Sequence, residues 1–581
     1  MKNFEVAAVF NEIADLLEIQ NANPFRIRAY RKAAQNIESL TRDIEEIAKK
    51  DSLEDIPGIR KDLAGKIQEV VATGRLKYYE KLKKEIPSIL LNMVAIPGIG
   101  PKTANLLYDN FKLRSIGQLE RLARSHKICV LPNIKEKTEE NIIRGIELLK
   151  RGKERMPLGM ALPIAVEIIN KLKSLPEVKR ISYAGSLRRM KETVRDIDIL
   201  VTSTKPKRIM DVFISLPDVK EVLAHGDTKS SVLLQGGIQV DLRVVEPDSY
   251  GAALLYFTGS KQHNIRLRTI ANQMGYKISE YGIFSATKRG GSASGGREER
   301  RIAGKEEADI YRTLGLSYVP PELREDTGEI EVSAKGKLPH LIEEKDITGD
   351  LHVHSKWSDG AHSLKELAEA AKKRGYQYIA ITDHTESLRV AGGLSKAELK
   401  RQIKEIRQLN RRLKGITLLT GAEMDILSDG KLDIPDDLLA ELDIVVAAIH
   451  SGFKQSKEQL TKRIINAMKH KHVHIIAHPT GRLMGVRDAY ALDFEEIFKA
   501  ARDTNTALEI NAFPERLDLN DINSKRAKEL SVALAIGSDT HAIDQMDNMI
   551  FGVSVARRGW LEKKDILNTL SLKDLIRRIV K

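Results

Sequence analysis

Cysteine is nearly absent: Cys129 stands alone among 581 residues. That excludes an internal disulfide and any thiolate metal cluster, fits a reducing compartment, and leaves histidine as the softest metal ligand the chain offers. Long hydrophobic runs are also missing. No apolar stretch approaches the ~20 residues that span a bilayer, and the opening MKNFEVAAVFNEIADLLEIQ reads as an amphipathic helix rather than a signal peptide. A cytoplasmic protein with no membrane partner is expected. An acidic excess is lacking too: the net charge is +14, and residues 1–300 carry 51 Lys and Arg against 37 Asp and Glu, whereas 301–350 carry 7 against 12. A cationic first half suits a polyanion, because neutralising phosphates releases counterions. A merely lysine-rich solvated surface is the alternative.

What is present is a globular composition, 42% hydrophobic and 30% charged, in a chain too long for one core. Residues 1–150 read as short helices, with apolar spacings of three and four in Val6–Leu17, Leu63–Val71, Ala104–Tyr108 and Ile142–Leu149. Two turns between them repeat, IPGIRKDLAGKI (56–67) and IPGIGPKTANLL (96–107), and VLPNIKEKTEENI (130–142) is a weaker echo without the glycines. Turns of this helix-hairpin-helix kind present backbone N–H groups at a helix start to a phosphate oxygen without reading bases. Gly98 and Gly100 fit that role. Gly58 does too, but Arg60 stands where a second glycine would allow close approach.

From about 151 strands alternate with helices: RISYAG, IDILVTS, SVLLQ and IQVDLRVV predict an α/β palm-like sheet, followed by a small α/β unit. GGSASGG (290–296) reads as a hairpin tip without chemistry, and the carboxylate-rich stretch from 321 reads as a linker. Within AGSLRRMKETVRDIDILV (184–201), Asp196 and Asp198 are two apart on a strand and so project to one face, where they can share a divalent metal. Asp241, in IQVDLRV, is the candidate third carboxylate. By itself Asp-X-Asp is equally the pattern of a solvated strand.

The last 230 or so residues deliver nine possible ligands, mostly where apolar runs stop: His352, His354, Asp359, His384, Glu423, His450, His478, Asp539 and His541. Strand ends that gather reactive groups are the habit of a βα-barrel. So many imidazoles favour zinc, manganese or iron over magnesium, and clustered cations lower the pKa of a water between them for attack on a phosphoester. Asp383, beside His384, is outside the ligand pattern and is expected to orient its neighbour.

Two family resemblances cover nearly the whole chain. GSLRR, then DID, then YFTGSKQHN (256–264) resembles the family X DNA polymerases of the nucleotidyltransferase superfamily. The run HxH, D, TDH, GxE, H, AHP, SDxH resembles the polymerase and histidinol phosphatase (PHP) domain, with none of the nine residues substituted. Their order resembles the PolX-type polymerases of bacteria and archaea. The resemblance implies an all-α helix-hairpin-helix region (1–85 lyase-like, 86–150 DNA-binding fingers) and an α/β nucleotidyltransferase palm (151–245). A thumb (246–320), a linker (321–345) and a distorted (β/α)7 PHP barrel (346–575) follow.

The resemblance also implies roles. Gly185, Ser186 and Arg189 hold the incoming triphosphate, while Asp196, Asp198 and Asp241 carry Mg²⁺ or Mn²⁺. Tyr256, Phe257 and Gly259 line the sugar pocket, Asn264 meets the base edge and Arg268 the template. Lys66 matches a lyase lysine, in surroundings that depart through Arg60 and Asp62. The barrel would take up to three Zn²⁺, Mn²⁺ or Fe ions. The implied protein is a monomer that fills short gaps in DNA from deoxynucleoside triphosphates and trims 3′ ends. A small-molecule phosphoesterase fused to a DNA-binding module, and a non-catalytic end-bridging scaffold, are the alternatives.

Overall fold

In the computed structural model the described residues are 3–20, 22–38, 40, 44–50, 52–56, 58–94, 96, 99–131, 134, 138–139, 142–143, 146, 155–287 and 298–579. They form two units, Met1–Glu154 and Arg155–Lys581. The first is helical. Apolar residues three and four apart give helices Asn3–Ile19, Pro24–Glu38, Lys61–Thr73 and Pro101–Phe111 their inner stripes. Phe10, Ile13, Leu17, Tyr30, Ala33, Ile67 and Leu107 are buried in its core.

The second unit opens with a two-stranded pair, β1 (Met156–Pro157) and β3 (Thr193–Val194). The palm sheet runs β2 (Val178–Tyr183), β4 (Asp196–Ser203), β7 (Gln239–Val244), β6 (Lys229–Leu234), β5 (Val219–His225). Only the β4–β7 pairing is parallel. Ile197, Ile199, Val240 and Leu242 turn inward against helices Leu158–Lys173 and Pro206–Ile214. Period-two alternation therefore sends the intervening polar residues to the opposite face. Strand β5 is an edge with alternating exposed residues, too polar to stand out in the sequence.

The thumb combines helices Tyr250–Thr258, Lys261–Gln273 and Glu307–Thr313 with an antiparallel sheet ordered β10 (Glu298–Ala303), β9 (Gly282–Thr287), β8 (Tyr276–Ser279). The tract 290–296 lies outside the described residues. The stretch 321–345 is not a bare linker. It holds a turn at Pro321–Leu323 and helix Glu329–Ala334, and buries Leu323 and Ile330 in the thumb core. The reason is ionic as well as apolar. Arg324, fully buried, donates to Glu307 (2.7 Å) and to the Val319 carbonyl oxygen (2.8 Å), and Glu307 also accepts two hydrogen bonds from Arg188 (2.8 and 2.7 Å).

Seven parallel strands, neighbours in sequence order, make the barrel: β11 (Gly349–Val353), β12 (Tyr378–Ile381), β13 (Thr417–Asp425), β14 (Ile444–Ala448), β15 (Ile475–Ile476), β16 (Ala507–Asn511) and β17 (Leu534–Gly537). The ring closes where Asp539 N donates to His352 O (3.0 Å) and His354 N to Thr540 O (2.8 Å). Leu351, Tyr378, Ile444 and Ala477 fill the interior with Leu575 and Ile579 of the C-terminal helix Leu572–Ile579. Among the described residues no helix is long and apolar enough to cross a membrane.

Burial pushes the Glu307 carboxyl up, but Arg324 and Arg188 outweigh it and bring it down from 4.5 to about 2. A depressed folded value stabilises fully above the unfolded value and fades as pH falls from about 4.5 towards 2. Glu307→Gln is expected to cost about 3–5 kcal/mol at pH 7, because two guanidinia lose their buried counter-charge. Urea unfolding followed by circular dichroism at pH 7 and pH 3 checks this: the gap between the two proteins narrows at the lower pH.

Candidate metal centres

In the palm the predicted carboxylates come together. Asp198 is the register partner of Asp241 across the parallel β4–β7 pair, and Asp196 is one side-chain step away on the same face. Gln239 donates to Asp241 Oδ1 (2.8 Å). Burial, then the charges of Asp196 and Asp241, raise Asp198 to about 7, and burial and Asp241 raise Asp196. Three facing carboxylates, with Asp196 and Asp198 pushed up, are a donor set that a divalent cation satisfies.

The segment after β2 supports this face. Gly185 has φ +63°, and a Cβ there would lie 2.4 Å from Asp198 Oδ2, so only glycine fits. Ser186 follows in the one-turn helix Gly185–Arg188, half-buried. Arg189 donates to Glu325 Oε1 (3.0 Å) and to the Thr258 carbonyl oxygen (2.5 Å). A Cβ on Gly259 would come within 3.2 Å of Arg189 Nη1. Tyr256, substantially exposed, meets Phe257 edge-on at 5.1 Å, and the Arg243 guanidinium covers Phe257 at 4.4 Å. Asn264 donates to the Tyr256 carbonyl oxygen (2.7 Å), and Arg268 is exposed on helix Lys261–Gln273.

In the helical unit Gly58 has φ +79°, and Gly100 caps helix Pro101–Phe111 with open space where a side chain would be. Gly98 lies outside the described residues. Lys66 pairs with the Asp62 carboxylate, its ammonium 5.2 Å from the Tyr78 ring and 6.0 Å from that of Tyr30.

The barrel brings all nine predicted ligands to one end. His354, Asp359, His384 and His541 form one group able to hold an ion, His352, His354 and Asp539 a second, and His384, Glu423 and His450 a third. Glu423 is shared: its oxygens lie 2.9 Å from His384 Nδ1, 3.2 Å from His450 Nε2, 2.9 Å from His478 Nε2 and 3.5 Å from His352 Nε2. Asp359 stands 3.6 Å from His384 and 3.4 Å from His541. Rather than ending at Glu423, β13 continues to Asp425, so this ligand sits inside the strand.

Charge explains the cluster. Burial raises Glu423, but His450, His352 and His384 outweigh it and hold the carboxyl well below its ordinary range. Burial, helped by the charge of His384, lowers His354 to about 3, and burial with Arg516 lowers His478 to about 4. These rings are neutral at pH 7, the form that ligates. His352 Nε2 and both ring nitrogens of His354 are buried without a hydrogen-bond partner. Orphaned lone pairs beside anionic carboxylates fit metal ions.

Sequence reasoning missed the supporting shell. Glu509 accepts from His352 Nδ1 (2.6 Å) and from the His478 backbone N–H (2.7 Å), and Asn511 donates to both Glu509 and Asp539 (3.1 Å each). Gly537 makes room for this contact, since a Cβ would lie 2.1 Å from Glu509 Oε1. The available signal was an acid inside the apolar strand ALEIN. Arg516 Nε lies 3.3 Å from Asp539 Oδ2, with Nη1 buried and unpartnered. Asp383 does not orient His384. It accepts from Ser355 N (2.7 Å), Ser355 Oγ (2.6 Å), Ser358 Oγ (2.5 Å) and Gln402, bracing the loop that carries Asp359.

Family models match the chain at residues 1–76 (helix-hairpin-helix domain), 90–147 (SAM-like helix-hairpin-helix tandem), 253–325 (DNA polymerase beta thumb) and 350–513 (PHP domain). The chain is 41% identical over 577 residues, 99% of each protein, to the "DNA polymerase/3'-5' exonuclease PolX" of Bacillus subtilis (strain 168). It is also 32% identical over 231 residues, 38% of this chain and 89% of that protein, to a "probable phosphatase" of Thermoanaerobacter sp. (strain X514). A "probable phosphatase" of Syntrophotalea carbinolica is 29% identical over 229 residues.

Glu423 is the carboxylate that the most imidazoles share, so Glu423→Gln is expected to lower the manganese retained per chain by at least half after gel filtration. Atomic absorption checks the stoichiometry, and near-ultraviolet circular dichroism confirms that the barrel is folded.

Proposed function

The chain belongs to the PolX family of DNA polymerases with a C-terminal PHP domain, and from that membership we propose that it fills short gaps in DNA and removes 3′-terminal nucleotides in its barrel. The observation that carries the reading is the register pairing of Asp198 with Asp241, Asp196 beside them, in a chain that also keeps nine barrel ligands at one end. Both centres depend on divalent metal. The palm carboxylates and the barrel ligands would hold the ions, whose charge would acidify an attacking hydroxyl or water and neutralise the leaving oxygen. We assign Mg²⁺ or Mn²⁺ to the palm and up to three Mn²⁺, Zn²⁺ or Fe ions to the barrel.

The chain's own groups do the positioning. Gly185 leaves Asp198 uncovered, Ser186 and Arg189 grip the triphosphate, and Tyr256, Phe257 and Gly259 border the sugar while Asn264 faces the base. Arg268 and the hairpins at Gly58, Gly98 and Gly100 hold the DNA backbone. In the barrel, Arg516, whose Nη1 has no hydrogen-bond partner, takes a phosphate oxygen of the strand being cut. Lys66, boxed by Asp62 and two tyrosines, serves DNA binding, with Schiff-base chemistry on an abasic sugar as its further reading. The protein acts as a cytoplasmic monomer.

A second reading, phosphomonoester hydrolysis by the barrel, is favoured by its likeness to the probable phosphatases. Turnover on a 3′-recessed duplex against a generic phosphomonoester separates the two. On a one-nucleotide gap, Asp198→Ala is expected to lose extension by about 10³-fold or more while keeping 3′ trimming. Asp539→Ala and His541→Ala should do the reverse. Primer extension and degradation gels with Mg²⁺ and Mn²⁺ check both, and extension surviving in Asp198→Ala would overturn the assignment.

A further inference from the structure

Arg189 is held by groups from three parts of the molecule. Its Nε donates to Glu325 Oε1 (3.0 Å), its Nη1 to the Thr258 carbonyl oxygen (2.5 Å), and its own carbonyl oxygen accepts from Arg558 Nη1 (2.8 Å). Among the described residues Nη2 makes no hydrogen bond, which leaves one edge of the guanidinium for a ligand. Glu325 lies in the strap that follows the thumb, and the same Oε1 accepts from Arg558 Nη1 (3.1 Å). Arg558 ends barrel helix Met549–Arg558, with 4% of its side chain exposed, and its Nη2 donates to Asp521 of the barrel (2.5 Å). One carboxylate therefore joins a palm guanidinium to a barrel guanidinium, and a barrel carboxylate anchors the far side.

We propose that Glu325 and Arg558 are positioning residues for nucleotidyl transfer: Arg558 fixes Glu325, Glu325 fixes Arg189, and the remaining guanidinium edge meets the triphosphate of the incoming nucleotide. This rests on the reading that Arg189 grips the triphosphate. The physical reason is preorganisation. A free arginine gives up side-chain entropy on closing over a phosphate, whereas one clamped at Nε and Nη1 has already lost it. The shared carboxylate also neutralises two guanidinia that would otherwise repel. Burial pushes Glu325 up, but Arg189, Arg558 and Lys191 hold it below its ordinary range, so the clamp stays ionised at neutral pH. The polymerase centre then depends on a barrel residue outside the metal-ligand set.

The test is steady-state insertion on a one-nucleotide gap by the full-length protein, with KM for the deoxynucleoside triphosphate and kcat measured separately. Glu325→Gln keeps the shape and removes the charge; Arg558→Lys keeps the charge but cannot span Glu325 and Asp521. Each is expected to raise KM about tenfold, the worth of one charge-assisted contact, with kcat within about twofold. Glu325→Asp should recover part of the loss, and 3′ trimming should be unchanged in Glu325→Gln. Arg189→Lys tests the premise: if it leaves KM unaltered, the triphosphate reading fails and the clamp falls with it. If Arg189→Lys raises KM and Glu325→Gln does not, the clamp alone is wrong. A lower KM in Glu325→Gln would make Glu325 a competitor of the triphosphate and overturn the proposal.

Discussion

A carboxylate enclosed by imidazoles is the constraint on which the barrel end depends. Glu423 is 1% exposed, and an ion taken out of water loses several kcal/mol unless opposite charge and hydrogen bonds replace the solvent. His384, His450, His478 and His352 make that replacement, and with the anion they form a nitrogen and oxygen donor set that can share a cation. Because the four partners come from four different strands or their following loops, the charge balance also fixes where those strands end. Glu509 then holds the His352 ring and the His478 backbone, and Asn511 braces Glu509 and Asp539.

The same rule recurs where apolar packing alone would leave the thumb loose. Glu307 lies between Arg188 and Arg324, and Glu325 between Arg189 and Arg558. Neither pair of guanidinia would tolerate burial without its carboxylate. The palm works by a different geometry. There burial, together with carboxylates of one sign facing one another, raises Asp198 to about 7 and makes a cation the natural completion of the site.

The segment from Arg188 to Glu192 ties these regions together. Arg188 reaches the thumb, Arg189 the strap, and Glu192 pairs with Arg482 of the barrel through both oxygens (2.6 and 3.1 Å). Arg482 in turn donates to the carbonyl oxygens of Arg516 and Leu517, beside the barrel centre. The palm loop that carries Arg189 and the barrel loop that carries Arg516 are thus braced from one short stretch of chain.

Legibility divided along the range of the interaction. Period two along DIDILV and QVDLRV was enough to put Asp196, Asp198 and Asp241 on the face opposite the core, and the ends of apolar runs marked most of the barrel ligands. Glu423 was read as a strand end, yet β13 runs two residues further, because its pairing with β14 carries on past the ligand. The sequence alone determined periodicity, residue chemistry and the order of the parts, since these are local. The partners of Glu509, Arg516, Asp383, Glu325 and Arg558 were decided only by tertiary structure, because each stabilises a charge or polar group distant in the chain. The linker read from prolines and carboxylates at 321–345 became a buried strap for that reason: Arg324 and Glu325 find their counter-charges on the thumb, the palm and the barrel.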